Sequence, residues 1–278
     1  MKNIFDTYSY DASKQVTKTY STSFYSGVNS LDKKIRNDIH AIYGLVRFAD
    51  EIVDSFHEFD KKTLLSEFKD ATFNAIDRKV SINPILNSFQ LTVNKYNIDL
   101  ELIRQFFHSM EMDLTPTTYS KEKYEEYILG SAEVVGLMCL KIFVYGDEED
   151  YIKLKPYAMR LGAAFQKINF LRDLKDDSQI LGRIYFPDLN TSNMSIEDKK
   201  AIEIEIQEDF DEAFKGIKLL PKSSRFGVYM SYVYYTSLLK HIEKKTLQDL
   251  LSERLRIPNG LKNILYAKSL IRHSINRL

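Results

Sequence analysis

The sequence predicts an all-α protein folded as a single helical bundle, and three observations support this. Apolar residues recur every three or four positions, as in the series Ile35, Ile39, Ile42, Tyr43 and Val46, which is the period of an amphipathic helix. Only ten glycines and six prolines interrupt the 278 residues, and long alternating strand patterns are missing. The chain shows no internal repeat, low-complexity tract or long linker, so we expect one domain over residues 1–278.

The expected helices lie between breaks that contain Pro, Gly or Asn. They are placed near 12–26, 31–57, 61–77, 82–95, 99–113, 120–144, 148–177, 196–217, 222–244 and 260–275. The longest irregular stretch, 178–195, contains Gly182 and Pro187. Irregular segments on rigid scaffolds often carry function, so this stretch is a candidate part of a site.

Composition excludes several classes of protein. Basic and acidic residues both number 39, so the basic excess of a nucleic-acid-binding protein is missing. The one cysteine, Cys139, excludes an intramolecular disulfide and fits a reducing cytosol. The N-terminus lacks the apolar core of a signal peptide, and the most apolar stretch, 134–145, is shorter than the roughly 20 residues of a membrane span. We therefore expect a cytoplasmic protein.

A first acidic cluster lies in the segment 47–54, RFADEIVD. Asp50 and Asp54 are four residues apart, so they share one face of the predicted helix. Their neighbours Ile52 and Val53 indicate that other faces of this helix are buried. Two carboxylates near a core need compensation by protons, arginine or metal, and Arg47 lies one helical turn away.

A second polar stripe follows the predicted helix 148–177. Gln166, Asn169, Asp173 and Asp177 are spaced by three and four residues, which places two amides and two carboxylates on one face. Arg172 lies beside them. Taken alone, either cluster is explained by a solvated acidic face with an intrahelical ion pair. Two such clusters, each with an arginine in an apolar helix, favour a site.

The residue types indicate which ligand such a site binds. Oxygen ligands without nearby His or Cys suit Mg²⁺, with Mn²⁺ as the alternative, and make zinc a poor candidate. Mg²⁺ held by few carboxylates completes its shell with water and substrate phosphate. The guanidinium groups of Arg47 and Arg172 also fit phosphate oxygens. The pattern therefore suggests a diphosphate bridged to the protein by metal ions.

Over nearly its whole length, the sequence resembles the squalene and phytoene synthase family. The resemblance rests on motifs that occur in the family's order: 21–24 (STSF), 41–43 (AIY), 47–54 (RFADEIVD), Tyr127 with 130–136 (GSAEVVG), 160–162 (RLG), Gln166, 169–173 (NFLRD), Asp177 and 182–187 (GRIYFP). One departure is Glu51, because many relatives carry Asp at this position. Glu51 lies roughly 100° around the helix from the line that joins Asp50 and Asp54.

The resemblance implies an isoprenoid synthase fold, with helices around a central cavity and the two acidic helices facing each other at its mouth. It also implies a prenyltransferase that acts on prenyl diphosphates. In the family's pattern, Mg²⁺ would be held by Asp50, Asp54, Asn169, Asp173 and Asp177. Substrate would be bound by Ser21, Ser23, Phe24, Val28, Arg47, Gln166, Asn169, Arg172, Arg183 and Arg254. The four aspartates would act in catalysis together with Tyr43, Tyr127, Tyr185 and Tyr235.

Val28 bears on the length of the substrate. It follows the Ser21–Ser23 element by a little over one helical turn, near a position where shorter-chain dehydrosqualene synthases are expected to carry a bulky aromatic residue. A valine leaves room for a C20 chain. We therefore expect two geranylgeranyl diphosphates to condense head to head into phytoene, through prephytoene diphosphate, in carotenoid biosynthesis. A C30 enzyme that uses farnesyl diphosphate, making dehydrosqualene or presqualene diphosphate, is the alternative.

Other relatives are less well matched. Squalene synthases of eukaryotes typically carry a C-terminal membrane anchor and need NADPH. This chain ends in RHSINRL and has no convincing dinucleotide fingerprint, so no NADPH is expected. A non-catalytic relative that acts as a binding or assembly factor should lose some aspartates, and all four are present. The basic residues near the C-terminus form either a solvated helix face or a surface for peripheral contact with the inner membrane.

Overall fold

The computed structural model describes residues 1–115, 119–187 and 194–252, together with residues 255, 260, 264–266 and 269–270. These described residues form α-helices, as the sequence predicts. In chain order they are α1 Lys2–Tyr20, α2 Thr22–Asn29, α3 Lys33–Ser55, α4 Lys61–Arg78, α5 Pro84–Tyr96, α6 Leu100–Met112, α7 Lys121–Ile128, α8 Val134–Phe143, α9 Glu148–Arg172, α10 Leu174–Gln179, α11 Ile196–Leu219, α12 Lys222–Ile242 and α13 Leu247–Ser252.

The first predicted helix, 12–26, was wrong in its extent. Helix begins at Lys2, and two helices meet at Ser21, whose backbone is extended at φ −147° and ψ 94°. The Ser21 hydroxyl accepts a hydrogen bond from the Phe24 N–H at 3.3 Å, which caps the N-terminus of α2. This break lets α2 leave the direction of α1.

The predicted helix 120–144 contains a π-helical segment, Leu129–Glu133, between α7 and α8. A side chain at Gly130 would lie 2.6 Å from the Gln105 carbonyl oxygen, and one at Gly162 would lie 2.7 Å from that of Ala132. Glycine is therefore needed for close backbone approach at both positions. The small residues of these helices could allow close helix packing or leave room for substrate. The contacts at Gly130 and Gly162 favour close helix packing.

The predicted helix 148–177 is also interrupted. It consists of α9 and the short α10, which meet at Asp173, where the backbone has φ −102° and ψ 10°. The Asp177 N–H still donates to the Asp173 carbonyl at 2.9 Å. Asp173 therefore lies at a helix junction, with Asp177 one turn further on in α10.

The C-terminal part of the chain is described only in pieces. Helix α13 lies in a segment where no helix was predicted, and the predicted helix 260–275 falls largely outside the described residues. So do the basic residues Arg254, Arg256, Lys262, Lys268, Arg272 and Arg277. Among the described helices, none combines the length and the apolar character that crossing a bilayer requires.

Buried side chains form two clusters. One is dominated by α3 to α6 and α8, and the other by the C-terminal half of α9 with α7 and α11. Ile52 and Val53, beside the first acidic pair, belong to the first cluster. Leu171 and Leu174, beside the second pair, belong to the second cluster. Each acidic pair is thus anchored in a different part of the core.

Helix α1 attaches to the bundle through hydroxyl groups. Its fully buried side chains are Ser9, Ser13 and Thr17, each 0% exposed. Ser13 Oγ lies 2.7 Å from Ser88 Oγ of α5, and Thr17 Oγ1 lies 3.0 Å from His40 Nδ1 of α3. Directional hydrogen bonds therefore position this helix.

A buried aspartate, Asp38 of α3, joins the same three helices. Its carboxylate accepts hydrogen bonds from Tyr10 of α1 at 3.2 Å and from Tyr96 of α5 at 2.8 Å. Lys95 Nζ lies 2.9 Å from the same group. Asp38 is 2% exposed, and this set of partners satisfies a charge that would otherwise be costly to bury.

Candidate active site

The first acidic pair occupies the C-terminal end of α3, where two arginines neutralise part of its charge. Arg47 Nη1 lies 2.5 Å from Asp50 Oδ2, and Arg47 Nη2 bonds Glu51 Oε2. The Arg47 guanidinium also lies over the Tyr20 ring, 4.5 Å from its centroid. Glu51 therefore pairs with Arg47 in this arrangement, off the line of Asp50 and Asp54.

The second pair lies at the junction of α9 and α10. Arg172 forms a two-pronged contact with Asp173, with Nε at 2.9 Å from Oδ1 and Nη2 at 2.5 Å from Oδ2. Asn169 Nδ2 donates to Gln166 Oε1 at 3.4 Å. Tyr235 OH donates to Asn169 Oδ1 at 3.3 Å, so α12 contributes to this part of the site.

The two acidic pairs act on each other electrostatically. Burial, and then the charge of Asp54, raises the pKa of Asp50 to about 7. Burial, followed by the charges of Asp173 and Asp54, raises the pKa of Asp177 to about 8. Arg183 joins the two pairs, because its guanidinium lies 2.6 Å from Asp54 and its backbone N–H donates to the Asp177 carbonyl at 2.8 Å. Asp54 on α3 and Asp177 on α10 therefore lie near each other.

The four aspartates supply oxygen ligands, the type that suits a hard cation such as Mg²⁺. The raised pKa values of Asp50 and Asp177 come first from burial and then from neighbouring carboxylates. Within the described residues, no three His, Cys, Asp or Glu side chains lie close enough to hold a metal by themselves. A cation bound here would take further oxygens from water and phosphate.

Arg183 connects the first pair to the irregular segment after α10. Its side chain is 5% exposed, and Nη1 lies 2.6 Å from Asp54 Oδ1. Nη2 donates to the carbonyl oxygens of Val53 at 3.2 Å and Asp113 at 2.8 Å. Segment 178–195 was expected to contribute to a site, and within its described residues the Arg183 side chain contacts the first acidic pair.

The sequence analysis missed Asp113, which follows α6 directly. Its carboxylate accepts hydrogen bonds from Tyr127 at 2.6 Å and Tyr185 at 2.9 Å. Burial raises its pKa to about 6, although the Arg183 charge opposes this. No spacing pattern marks Asp113, because it stands alone at the end of an apolar helix. The one available signal was an acidic residue next to a run that includes Phe106, Phe107 and Met110.

Aromatic rings surround the polar groups. Burial raises the pKa of Tyr43 to about 12, and Tyr43 lies close enough to Arg47, Asp50 and Tyr235 to be affected by their charges. Burial likewise raises the pKa of Tyr127, Tyr185 and Tyr235. The stacked ring pairs are Phe24–Tyr43 at 4.9 Å, Phe165–Tyr235 at 4.0 Å and Phe170–Tyr185 at 4.2 Å.

The remaining predicted site residues fall in different places. Ser21 caps α2 and affects the pKa of Tyr43 through a hydrogen bond. Ser23 is partly buried on α2. Val28 is 2% exposed and belongs to the first core cluster. Arg254 lies outside the described residues.

Comparisons with known proteins agree with this architecture. A family model described as "Squalene/phytoene synthase" matches residues 17–203. Phytoene synthase 1, chloroplastic, of Solanum lycopersicum is 29% identical, over 94% of this chain and 68% of its own. The 15-cis-phytoene synthase of Synechococcus elongatus is 27% identical, over 91% of this chain and 89% of its own.

Solved structures show the same fold. A dehydrosqualene synthase in complex with ligand superposes with a TM-score of 0.84 at 19% identity, over 97% of this chain and 98% of the other. Squalene synthase HpnC from Alicyclobacillus acidocaldarius gives a TM-score of 0.72 at 20% identity, over 85% of this chain and 93% of the other. The expected isoprenoid synthase fold is confirmed.

Proposed function

The chain belongs to the squalene/phytoene synthase family and is a prenyltransferase, and on this premise we propose that it joins two geranylgeranyl diphosphates head to head. The product would be phytoene, formed through prephytoene diphosphate with release of two diphosphates, and would enter carotenoid biosynthesis. Several curated relatives that match most of the chain are named phytoene synthases.

The observation that carries the proposal is the convergence of Asp50, Asp54, Asp173 and Asp177 beside arginines. A diphosphate is strongly anionic and cannot approach bare carboxylates, so bound cations must lie between them. When bound, Mg²⁺ would supply electrostatic stabilisation of the departing diphosphate. The donor set of the site suits Mg²⁺, with Mn²⁺ as the alternative.

The protein's own side chains have three roles in this proposal. Arg47 and Arg172 would orient diphosphate oxygens through their planar donor groups, and Arg183 would hold Asp54 in place. The rings of Tyr43 and Tyr235 would face an allylic cation and stabilise it without reacting. Their partial burial would keep water from capturing that cation.

The C20 length of the substrate is the finer part of the proposal. It rests on Val28 of α2, a small side chain that is 2% exposed and belongs to the first core cluster. A C30 enzyme that uses farnesyl diphosphate is the second candidate. Among the solved structures similar to this chain are a dehydrosqualene synthase and a squalene synthase, but at under 25% identity this likeness concerns the fold alone. Peripheral membrane contact stays a prediction.

The deciding experiment is product analysis of the purified protein with Mg²⁺ and either geranylgeranyl or farnesyl diphosphate, without NADPH. We expect a C40 hydrocarbon from the C20 substrate and loss of turnover in the folded Asp173→Asn variant. A C30 hydrocarbon, or arrest at a cyclopropyl diphosphate, would replace phytoene synthesis with the second candidate. Absence of turnover with both substrates would contradict the proposal.

A substitution at Val28 tests the assignment of chain length. The Val28→Phe variant should shift product from C40 toward C30, because the larger ring would occupy a buried position on α2. Val28→Leu, a smaller increase in volume, serves as the control and should keep C40 as the main product. Unchanged product length in the Phe variant would show that Val28 does not limit the pocket.

A further inference from the structure

Asp113 joins three parts of the candidate site although it belongs to neither acidic pair. It follows α6, is 5% exposed, and accepts short hydrogen bonds from the phenols of Tyr127 and Tyr185 and a longer one, at 3.5 Å, from that of Tyr119. Tyr127 lies on α7, and Tyr185 lies in the irregular segment after α10. The two hydroxyl oxygens are 3.4 Å apart. One carboxylate thus fixes both hydroxyls next to each other.

The direction of these hydrogen bonds has a chemical consequence. A phenol carries a single proton, and both Tyr127 and Tyr185 donate theirs to Asp113. The Tyr185 oxygen then accepts from Arg183 Nη1 at 3.5 Å and lies 3.4 Å from the Tyr127 hydroxyl oxygen. Asp113 therefore fixes the direction in which each hydroxyl points.

Asp113 also holds Arg183 in place. Arg183 Nε lies 3.5 Å from Asp113 Oδ1, and Nη2 donates to the Asp113 carbonyl at 2.8 Å. The same guanidinium extends Nη1 to Asp54. Because a guanidinium is planar and rigid, fixing one edge of it fixes the other. The contacts run from Asp113 through Arg183 to a carboxylate of the first acidic pair.

We infer that Asp113 is a positioning residue, which fixes the Tyr127 and Tyr185 hydroxyls and holds the Arg183 guanidinium against Asp54 of the first acidic pair. The inference rests on the proposed function. Asp113 itself is enclosed by the side chains it positions, so it acts through them. Partners of this kind typically change rates by about 10- to 100-fold when removed.

The chain contains a matched control for the burial of an aspartate. Asp38 is also almost fully buried and also accepts hydrogen bonds from two tyrosines and a cation. It lies among α1, α3 and α5, away from the acidic pairs. Asp113→Asn and Asp38→Asn remove the same charge from similar surroundings. A purely structural role for Asp113 would make the two variants behave alike.

The test measures kcat and KM with whichever prenyl diphosphate the wild-type protein turns over. For Asp113→Asn we expect kcat to fall by about 10- to 100-fold while KM changes less than about threefold. Asp38→Asn should lower the melting temperature but keep kcat. Asp113→Glu retains the charge and displaces the oxygens, so its kcat should be intermediate. If the Asp113→Asn variant does not fold, the Asp113→Glu variant replaces it in this test.

A double-mutant cycle separates positioning from general support. If Asp113 acts through Tyr127, adding Tyr127→Phe to Asp113→Asn should cost little beyond the worse single variant. If the loss of kcat in the double variant equals the product of the two single losses, the inference is overturned. Equal kcat in the Asp113→Asn and Asp38→Asn variants would overturn it as well. Both outcomes leave the proposed function unaffected. A wild-type protein without turnover would remove the proposed function first, and the inference with it.

Discussion

The two acidic pairs look alike in the sequence but are held in different ways. Asp50 and Asp54 lie on the unbroken helix α3, where Arg47 binds one carboxylate and Arg183 the other. Asp173 lies at a helix junction with Asp177 one turn further on, and Arg172 binds Asp173. Among the described residues, no lysine or arginine forms an ion pair with the Asp177 side chain. Each carboxylate of the first pair thus has an arginine partner, whereas the second pair has an arginine on Asp173 alone.

The largest expected effect comes from removing one carboxylate of each pair. Asp54→Asn and Asp173→Asn should each lower kcat by about 10²- to 10³-fold, because each deletes charge at the place where diphosphate is to be bound. Steady-state kinetics at saturating Mg²⁺ would measure this, with circular dichroism to show that each variant is folded. If a variant keeps more than about a tenth of wild-type kcat, the acidic pair that it changes does not belong to the active site.

A smaller effect concerns the pH dependence of stability without metal. The folded-state pKa values of Asp50 and Asp177, about 7 and about 8, lie above the ordinary value of 3.8. Such groups favour the folded protein at low pH, and this contribution is lost as pH rises through the folded-state values. The melting temperature of the metal-free protein should therefore fall between about pH 5 and pH 8.

Two controls make this measurement specific. Asp177→Asn should flatten the decline, since the asparagine does not titrate, and Asp50→Asn should flatten it less. The Asp50 side chain keeps 36% of its surface exposed, so water weakens both the burial and the repulsion that raise its pKa. Mg²⁺ with inorganic diphosphate should raise the melting temperature more at pH 8 than at pH 6. Equal increases in melting temperature at both pH values would mean that binding does not require Asp50 and Asp177 to lose their protons.

The smallest expected effect is at Glu51. Because Glu51 bonds Arg47 instead of lying in line with Asp50 and Asp54, Glu51→Gln should lower kcat only a few-fold. Partly exposed ion pairs of this kind contribute about 0–1 kcal/mol. Measuring Glu51→Gln and Asp54→Asn in the same assay shows whether Glu51 belongs to the cation site. A loss as large as that of Asp54→Asn would make Glu51 part of the cation site.

The sequence predicted the acidic pairs because helical spacing determines which side chains share a face. It did not predict the breaks at Ser21 and Asp173, because each depends on local backbone conformation that neither glycine nor proline marks. Asp113 was missed for a different reason. Its partners Tyr127 and Tyr185 come from distant parts of the chain, and no local pattern encodes which tertiary contacts a lone carboxylate will make.

The hydroxyl face of α1 has a consequence for how the protein opens. Ser9, Ser13 and Thr17 bury little apolar surface when α1 packs against α3 and α5. Release of α1 would therefore expose few hydrophobic groups and cost less free energy than release of a core helix such as α6. Amide hydrogens of α1 should exchange with solvent before those of α6. Since α1 leads directly into α2, earlier exchange in α1 would extend to the segment that carries Phe24 and Val28.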